Sequence, residues 1–122
     1  MSYKVKRGDV WLCDFNPTRG SEQAGKRRPA VILSNDCVNF NAPIVTVAPL
    51  TSKPKNDQPT HVTLQADWLP RESIALLEQI RTVSKERISG YLGHLTSDQM
   101  IAIDQALEIA LSLHEPEVSD GE

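Results

Sequence analysis

Residues 19–36 read RGSEQAGKRRPAVILSND, a polar loop with two glycines and three consecutive cations that turns abruptly into the apolar run PAVIL. A short apolar run bounded by turn residues has buried-strand length. Similar runs punctuate the first two thirds of the chain: VWLCDF (10–15), PAVILS (29–34) and the β-branched IVTVAPL (44–50). THVTLQ (60–65) alternates, with Val62 and Leu64 on one face and His61, Thr63 and Gln65 on the other. SIALLEQIRTV (73–83) reads as a further strand or a bent pair, SKERIS (84–89) as one helical turn and GYLGHL (90–95) as a last short strand. A helix follows, opened by a Thr96/Gln99 capping box and carried by Met100, Ile103, Leu107 and Leu111 to about Leu113. The expected fold is therefore mainly β with a C-terminal helix, the strands forming a small, strongly curled antiparallel sheet or barrel.

At 122 residues the chain has the size of one domain. Its expected extent is 1–115, followed by an acidic tail, 116–122, too polar to order itself. No run of 18 apolar residues occurs, and MSYKVKRGDV lacks the apolar stretch of a secretory signal. A soluble, cytoplasmic protein is expected, with no membrane partner. Cys13 and Cys37 show neither a CxxC pattern nor a histidine at metal-ligand spacing, so both read as reduced thiols, with no metal site and no cofactor. The net charge of −3 conceals an asymmetry: all 13 Lys and Arg lie in residues 1–95 with nine acids, and the last 27 residues hold the other seven acids. The body is thus +4 and suits an anionic ligand, although a solvated acidic helix explains the tail equally well.

Two loops are long for such a scaffold. NPTRGSEQAGKRR (16–28) spans 13 residues and SKPKNDQP (52–59) eight, both basic, where a hairpin needs about two to five. Arg28 stands directly before Pro29, which biases it toward extended backbone and ties it to the strand. Thr51 closes the VAPLT strand at the mouth of the second loop. If the two strand ends adjoin, Arg28 and Thr51 can hold a phosphate together; read singly, they are a surface arginine and a strand-end threonine. His94 and His114 read as surface or packing residues, and His61 lies just beyond the second loop.

KRGDVWLCDFNPTRGSEQAGKRRPAVILSND, then VAPLTS, PTHVTL and ALLEQIRTVSKERI, together resemble the MazF/PemK family of toxin–antitoxin ribonucleases, in family order and over residues 4 to about 113. The resemblance implies an SH3-like, CcdB/MazF-type small barrel closed by the C-terminal helix and assembled as a homodimer. It implies metal-independent, sequence-specific cleavage of single-stranded RNA, held off by a MazE-like antitoxin, with DNA contact only through the antitoxin complex. The family's catalytic arginine and threonine fall on Arg28 and Thr51. Glu78 and His61 are candidates for catalytic support. Glu22, Gln23, Lys26, Arg27, Ser52, Lys53, Gln79 and Arg81 are candidate RNA contacts, and Asn35 and Asp36 fall near the subunit interface or groove edge. Two departures matter. The usual EQ-x-G-x-RP spacing carries one extra residue in EQAGKRRP, so Arg27 competes with Arg28, and Pro29 selects the latter. Leu76 stands where the PemK-like branch has an arginine.

Cleaving RNA without a metal uses the neighbouring 2′-hydroxyl as nucleophile, leaving a 2′,3′-cyclic phosphate and a free 5′-hydroxyl. Arg28 suits charge stabilisation on the phosphorane, whereas its pKa above about 12 makes it an awkward base. Two other classes compete with the ribonuclease: a CcdB-like gyrase poison on the same fold, and a catalytically inactive RNA- or antitoxin-binding relative. A gyrase poison has no need of the Arg28–Pro29 step paired with Thr51. Trp11 reads as a core or dimer residue rather than a stacking platform.

Overall fold

The computed structural model describes residues 4–16, 27–53 and 56–113. The longest strand, β3 (Ile44–Thr51), organises the sheet. Its first half pairs antiparallel with β6 (Arg81–Ser84), from Ile44↔Ser84 to Val47↔Arg81. Its second half pairs along the same edge with β5 (Ser73–Leu76), through Leu50↔Ala75 and Thr51↔Ile74. The expected bent pair is thus two strands, and the 3-10 turn Leu77–Gln79 between them is the bend. On the other edge of β3 lies β2 (Arg28–Ile32), from Ala30↔Pro49 to Ile32↔Val47. Beyond β2 come β1 (Asp9–Cys13) and then β7 (Ile88–His94), while β4 (His61–Leu64) flanks β5. Seven antiparallel strands result, ordered β4-β5-β3-β2-β1-β7 with β6 on β3.

Register shifts between β1 and β7, at Val10/Trp11 and Trp11/Leu12, curl this edge strongly. Among the described residues no ladder joins β7 to β4 or β6, so the expected barrel is an open, curled sheet. The reason lies in the chain order. The 3-10 turn Lys85–Arg87 carries the chain from β6 on one side of β3 to β7 beyond β1.

Strand alternation sends side chains to two apolar clusters, one on each face. Val10, Val31, Ala48, Leu50 and Leu64 pack under the C-terminal helix α2 (Ser97–Leu111), against its Ile103 and Ala106. Trp11, Cys13, Ala30, Ile32, Val45, Val47 and Val83 fill the other face with Val5, Phe15 and Ile88. Trp11 is a core residue, as expected, with Tyr91 edge-on at 5.4 Å. Cys13 and Cys37 are unpaired, and burial pushes the Cys13 thiol up to about 11, against the opposing charges of Arg81 and Arg87.

The capping box of α2 is present in full: the Gln99 N–H donates to Thr96 Oγ1 at 3.1 Å and the Thr96 N–H to Gln99 Oε1 at 2.9 Å. The helix stops at Leu111 because Ser112 adopts a left-handed conformation, φ 55°. Arg7 fastens it to the sheet, donating to Leu33 O at 2.8 Å and to Asp104 Oδ1 at 2.7 Å. Asp9 is buried yet fully engaged: its carboxylate accepts from Lys6 N and Trp11 Nε1 and lies 2.7 Å from His94 Nδ1. His94 is accordingly a surface histidine anchored on Asp9. At Gly93 the Trp68 ring lies so close that a Cβ would stand 2.2 Å from Cδ2.

One element escaped the sequence reading, the short helix α1 (Asp36–Asn41). Asn35 caps it by accepting from the Val38 N–H at 2.9 Å, and buried Asn39 bonds back to Ser34. Asp36 accepts from Arg7 N at 2.7 Å. Asn35 and Asp36 therefore pin the chain after β2. Among the described residues no helix is long and apolar enough to cross a membrane.

Candidate active site

Arg28 opens β2, opposite Cys13 of β1, and Pro29 behind it restricts it to the extended backbone the strand requires. Arg27 is exposed outside the strand, whereas Arg28 is half-buried. Of the two arginines that the extra loop residue sets in competition, only Arg28 belongs to the strand. Thr51 ends β3, and the Ala30↔Pro49 register carried two residues further sets it opposite Arg28. By alternation both belong to the sheet face of the second apolar cluster. The two residues that the sequence could only pair conditionally thus share one corner of the sheet.

A cavity of about 210 Å³ opens at this corner, lined by Arg28, Ser52, Arg71 and Ser73, with Pro29, Leu50 and Pro70 among its walls. Thr51 is 1 % exposed, and its Oγ1 accepts from the Lys53 N–H at 3.2 Å. That bond uses an acceptor lone pair and leaves the hydroxyl proton free to be donated. Ser52 and Lys53 are exposed on the turn just beyond.

Arg71 and Ser73 were not foreseen. They come from the start of β5, and only the Thr51↔Ile74 register brings them beside the ends of β2 and β3. The Ser73 hydroxyl donates to Arg71 O at 3.1 Å, fixing the backbone from which the second guanidinium extends. The available signal was a cation flanked by Pro70 at the start of a strand. Two arginines at one cavity form a strongly anion-attracting corner.

The remaining candidates divide. Glu78 and His61 form a pair of their own, His61 Nε2 3.0 Å from Glu78 Oε2, and Thr60 Oγ1 donates to Glu78 Oε1 at 2.9 Å. His61 sits on β4, two strands from β3 and so roughly 10 Å from the strand of Thr51. Burial works to raise the Glu78 carboxyl, but bonds from His61, its own backbone and Thr60 prevail and hold it below the usual carboxylate value. Ionised Glu78 therefore stabilises the fold above the ordinary carboxylate range, and this contribution disappears as pH falls through the lowered value. Glu78→Gln is expected to lose roughly 0.2–1 kcal/mol at neutral pH, a discounted figure for a partly exposed group. Urea midpoints of the two proteins should converge as the pH falls below the ordinary carboxylate range; a constant gap would contradict the hydrogen-bonded carboxylate.

Gln79 is half-buried at the end of the 3-10 turn. Arg81 opens β6 and lays its guanidinium 5.5 Å from the centre of the Phe15 ring. Arg87 ties down the segment leading into the first loop, donating to Asp14 O at 3.1 Å and also to Asn16 O, a clamp the sequence did not suggest. Glu22, Gln23 and Lys26 lie outside the described residues.

Comparison with known proteins places the whole chain. The profile of PemK-like, MazF-like toxins of type II toxin–antitoxin systems matches residues 6–111. Endoribonuclease EndoA of Bacillus subtilis is 43 % identical over 112 residues, covering 89 % of this chain and 96 % of that protein. Among solved structures, MazF from Deinococcus radiodurans superposes with a TM-score of 0.79 at 28 % identity, over 91 % of this chain and 99 % of that one. An endoribonuclease bound to its cognate antitoxin, from a Mycobacterial species, gives 0.77 at 28 % identity over 92 % and 99 %. The open antiparallel sheet with its C-terminal helix is the architecture these proteins share. With the profile spanning nearly its full length and a curated endoribonuclease so close in sequence, this chain belongs to the MazF/PemK family of toxin endoribonucleases.

Proposed function

We propose that the chain cuts single-stranded RNA at the corner formed by Arg28 and Thr51, without a metal, by attack of the 2′-hydroxyl on the adjacent phosphorus. The new bond is O2′–P and the broken one P–O5′; the 2′ proton leaves to solvent or a group beside it, and the 5′-oxygen takes up a proton as it departs. The products are a 2′,3′-cyclic phosphate and a 5′-hydroxyl. The observation that carries this reading is that Arg28 and Arg71 line one cavity beside the adjoining ends of β2, β3 and β5, with Thr51 set opposite Arg28 by the extended register of β2 and β3. A guanidinium stays charged throughout and presents a planar fork to non-bridging oxygens, so Arg28 stabilises the phosphorane. Thr51 contributes its hydroxyl proton to the same oxygens. With His61 and Glu78 set apart from this corner, the acid–base set is sparse, which fits a slow enzyme.

The RNA groove runs from this corner along Ser52 and Lys53 toward Gln79 and Arg81, and Arg27 with Glu22, Gln23 and Lys26 borders it in sequence. Unstacked bases hydrogen-bond to these side chains and so set the motif that is cut. Arg71 takes a phosphate neighbouring the scissile one. Arg71→Gln is expected to weaken binding of an uncleavable 2′-O-methyl RNA and to reduce the slope of log affinity against log salt by about 0.7, the share of one phosphate contact on a single strand. An unchanged slope would remove Arg71 from the RNA path.

A relative of this fold has been solved with its cognate antitoxin, and MazE–MazF complexes from Deinococcus radiodurans superpose at a TM-score of 0.74 and 27 % identity. By this likeness the chain is neutralised by a MazE-like antitoxin, whose acidic segment competes with RNA for the cationic groove; the homodimer is what the family resemblance implies. The deciding experiment is digestion of a long RNA by purified protein in EDTA, with end analysis of the fragments. Cuts at a fixed short motif bearing cyclic-phosphate ends support the mechanism. Absence of cleavage by folded protein would favour the inactive binder.

A further inference from the structure

Glu78 is held from two sides. Thr60 Oγ1 donates to Oε1 at 2.9 Å, and His61 Nε2 stands 3.0 Å from Oε2. The second ring nitrogen, Nδ1, stands 3.1 Å from the carbonyl oxygen of Asn56. A carboxylate and a carbonyl only accept, so each bond uses a hydrogen on the ring nitrogen that makes it. Two backbone bonds run alongside, His61 N–H to Gln58 O and Leu77 N–H to Thr60 O, both 3.0 Å. The His61 side chain is only 12 % exposed. One ring therefore joins the return from the second basic loop, Asn56–Gln58, to the 3-10 turn that carries Glu78 and Gln79.

We propose that His61 is a positioning residue whose ring straps Asn56–Gln58 to Glu78, setting the Glu78–Gln79 turn for RNA. The role of the turn in RNA binding rests on the function proposed above; the strap itself does not. Among the described residues Glu78 is the only ionised side chain bonded to the ring. From β5 the facing residue is the apolar Leu76, and α2 packs on the opposite face of β4, behind Val62 and Leu64. Distance from the strand of Thr51 assigns the ring to positioning rather than to proton transfer.

The test has two arms. Backbone amide exchange without RNA reads the strap directly: the Leu77 amide should exchange about tenfold faster in His61→Ala than in the wild type, with the Val31 amide unchanged and partial recovery in His61→Gln. Equal exchange at Leu77 would overturn the strap whether or not the protein cuts RNA. The second arm is cleavage of a short fluorogenic RNA at a fixed pH. His61→Gln and Glu78→Gln should each raise KM about three- to tenfold at nearly constant kcat. A fall in kcat of two orders of magnitude in His61→Gln, or an unchanged KM in both variants, would defeat the positioning role. Normal strap behaviour in a protein that cuts no RNA would refute the proposed function and leave the strap standing.

Discussion

Arg28→Ala is expected to lower kcat/KM for single-stranded RNA by about 10²–10³-fold, the usual consequence of removing one group aimed at developing negative charge. The effect should fall mainly on kcat, because charge on the non-bridging oxygens grows toward the phosphorane and a stabiliser of that charge acts there most strongly. Arg28→Lys restores the charge without the planar fork and should recover only part of the loss. Thr51→Val, which keeps shape and removes the hydroxyl, should also be severely impaired, while Thr51→Ser keeps substantial activity. Stability provides the control. Arg28 is half-buried at a strand end, so its truncation should move the urea transition by less than about 1 kcal/mol. A fully active Arg28→Ala protein would transfer the chemistry elsewhere, with Arg71 across the cavity the first alternative.

Gly93→Ala should be the most damaging small substitution in the scaffold. An added Cβ would stand 2.2 Å, 2.4 Å and 2.7 Å from Trp68 Cδ2, Cε2 and Cε3, inside any tolerable contact. Neither party can yield cheaply: Gly93 is laddered to Val10 in β7, and the indole packs on the cluster beneath α2. Overpacking of this kind costs about 1–3 kcal/mol, and expulsion of the indole would add its lost burial. A shorter urea transition with red-shifted tryptophan emission is the expected result. Trp68→Leu placed in the Gly93→Ala protein should recover stability, giving a favourable coupling in the double-mutant cycle. Additive losses would mean that the two residues do not meet.

Strong local punctuation made part of this architecture legible in the sequence. The α2 helix announces itself through Thr96 and Gln99, whose reciprocal bonds are local, and Arg28 and Thr51 mark strand ends beside Pro29 and the second loop. What stayed hidden depends on distant register or on weak periodicity. α1 has six residues and only the Asn35 cap to declare it. β7 begins two residues before the expected strand, its pattern blurred by bulges and by Gly90 at φ +54°. Arg71 reaches the cavity only because β5 docks on the end of β3, and the His61–Glu78 contact spans 17 positions that no local pattern links. The open edge of the sheet has the same origin, since closure depends on how far two remote strands curl toward each other.

The two candidate catalytic side chains project from the last rungs of β2 and β3, whereas the long basic segments begin where those rungs end. Reaction and recognition are thereby mounted on separate parts of the chain. Exchanging the segment before Arg28 or after Lys53 for that of a relative should change which RNA motif is cut while the bond-breaking step keeps its rate. A scaffold wired in this way lets a lineage of toxins diversify its vocabulary without having to reinvent its blade.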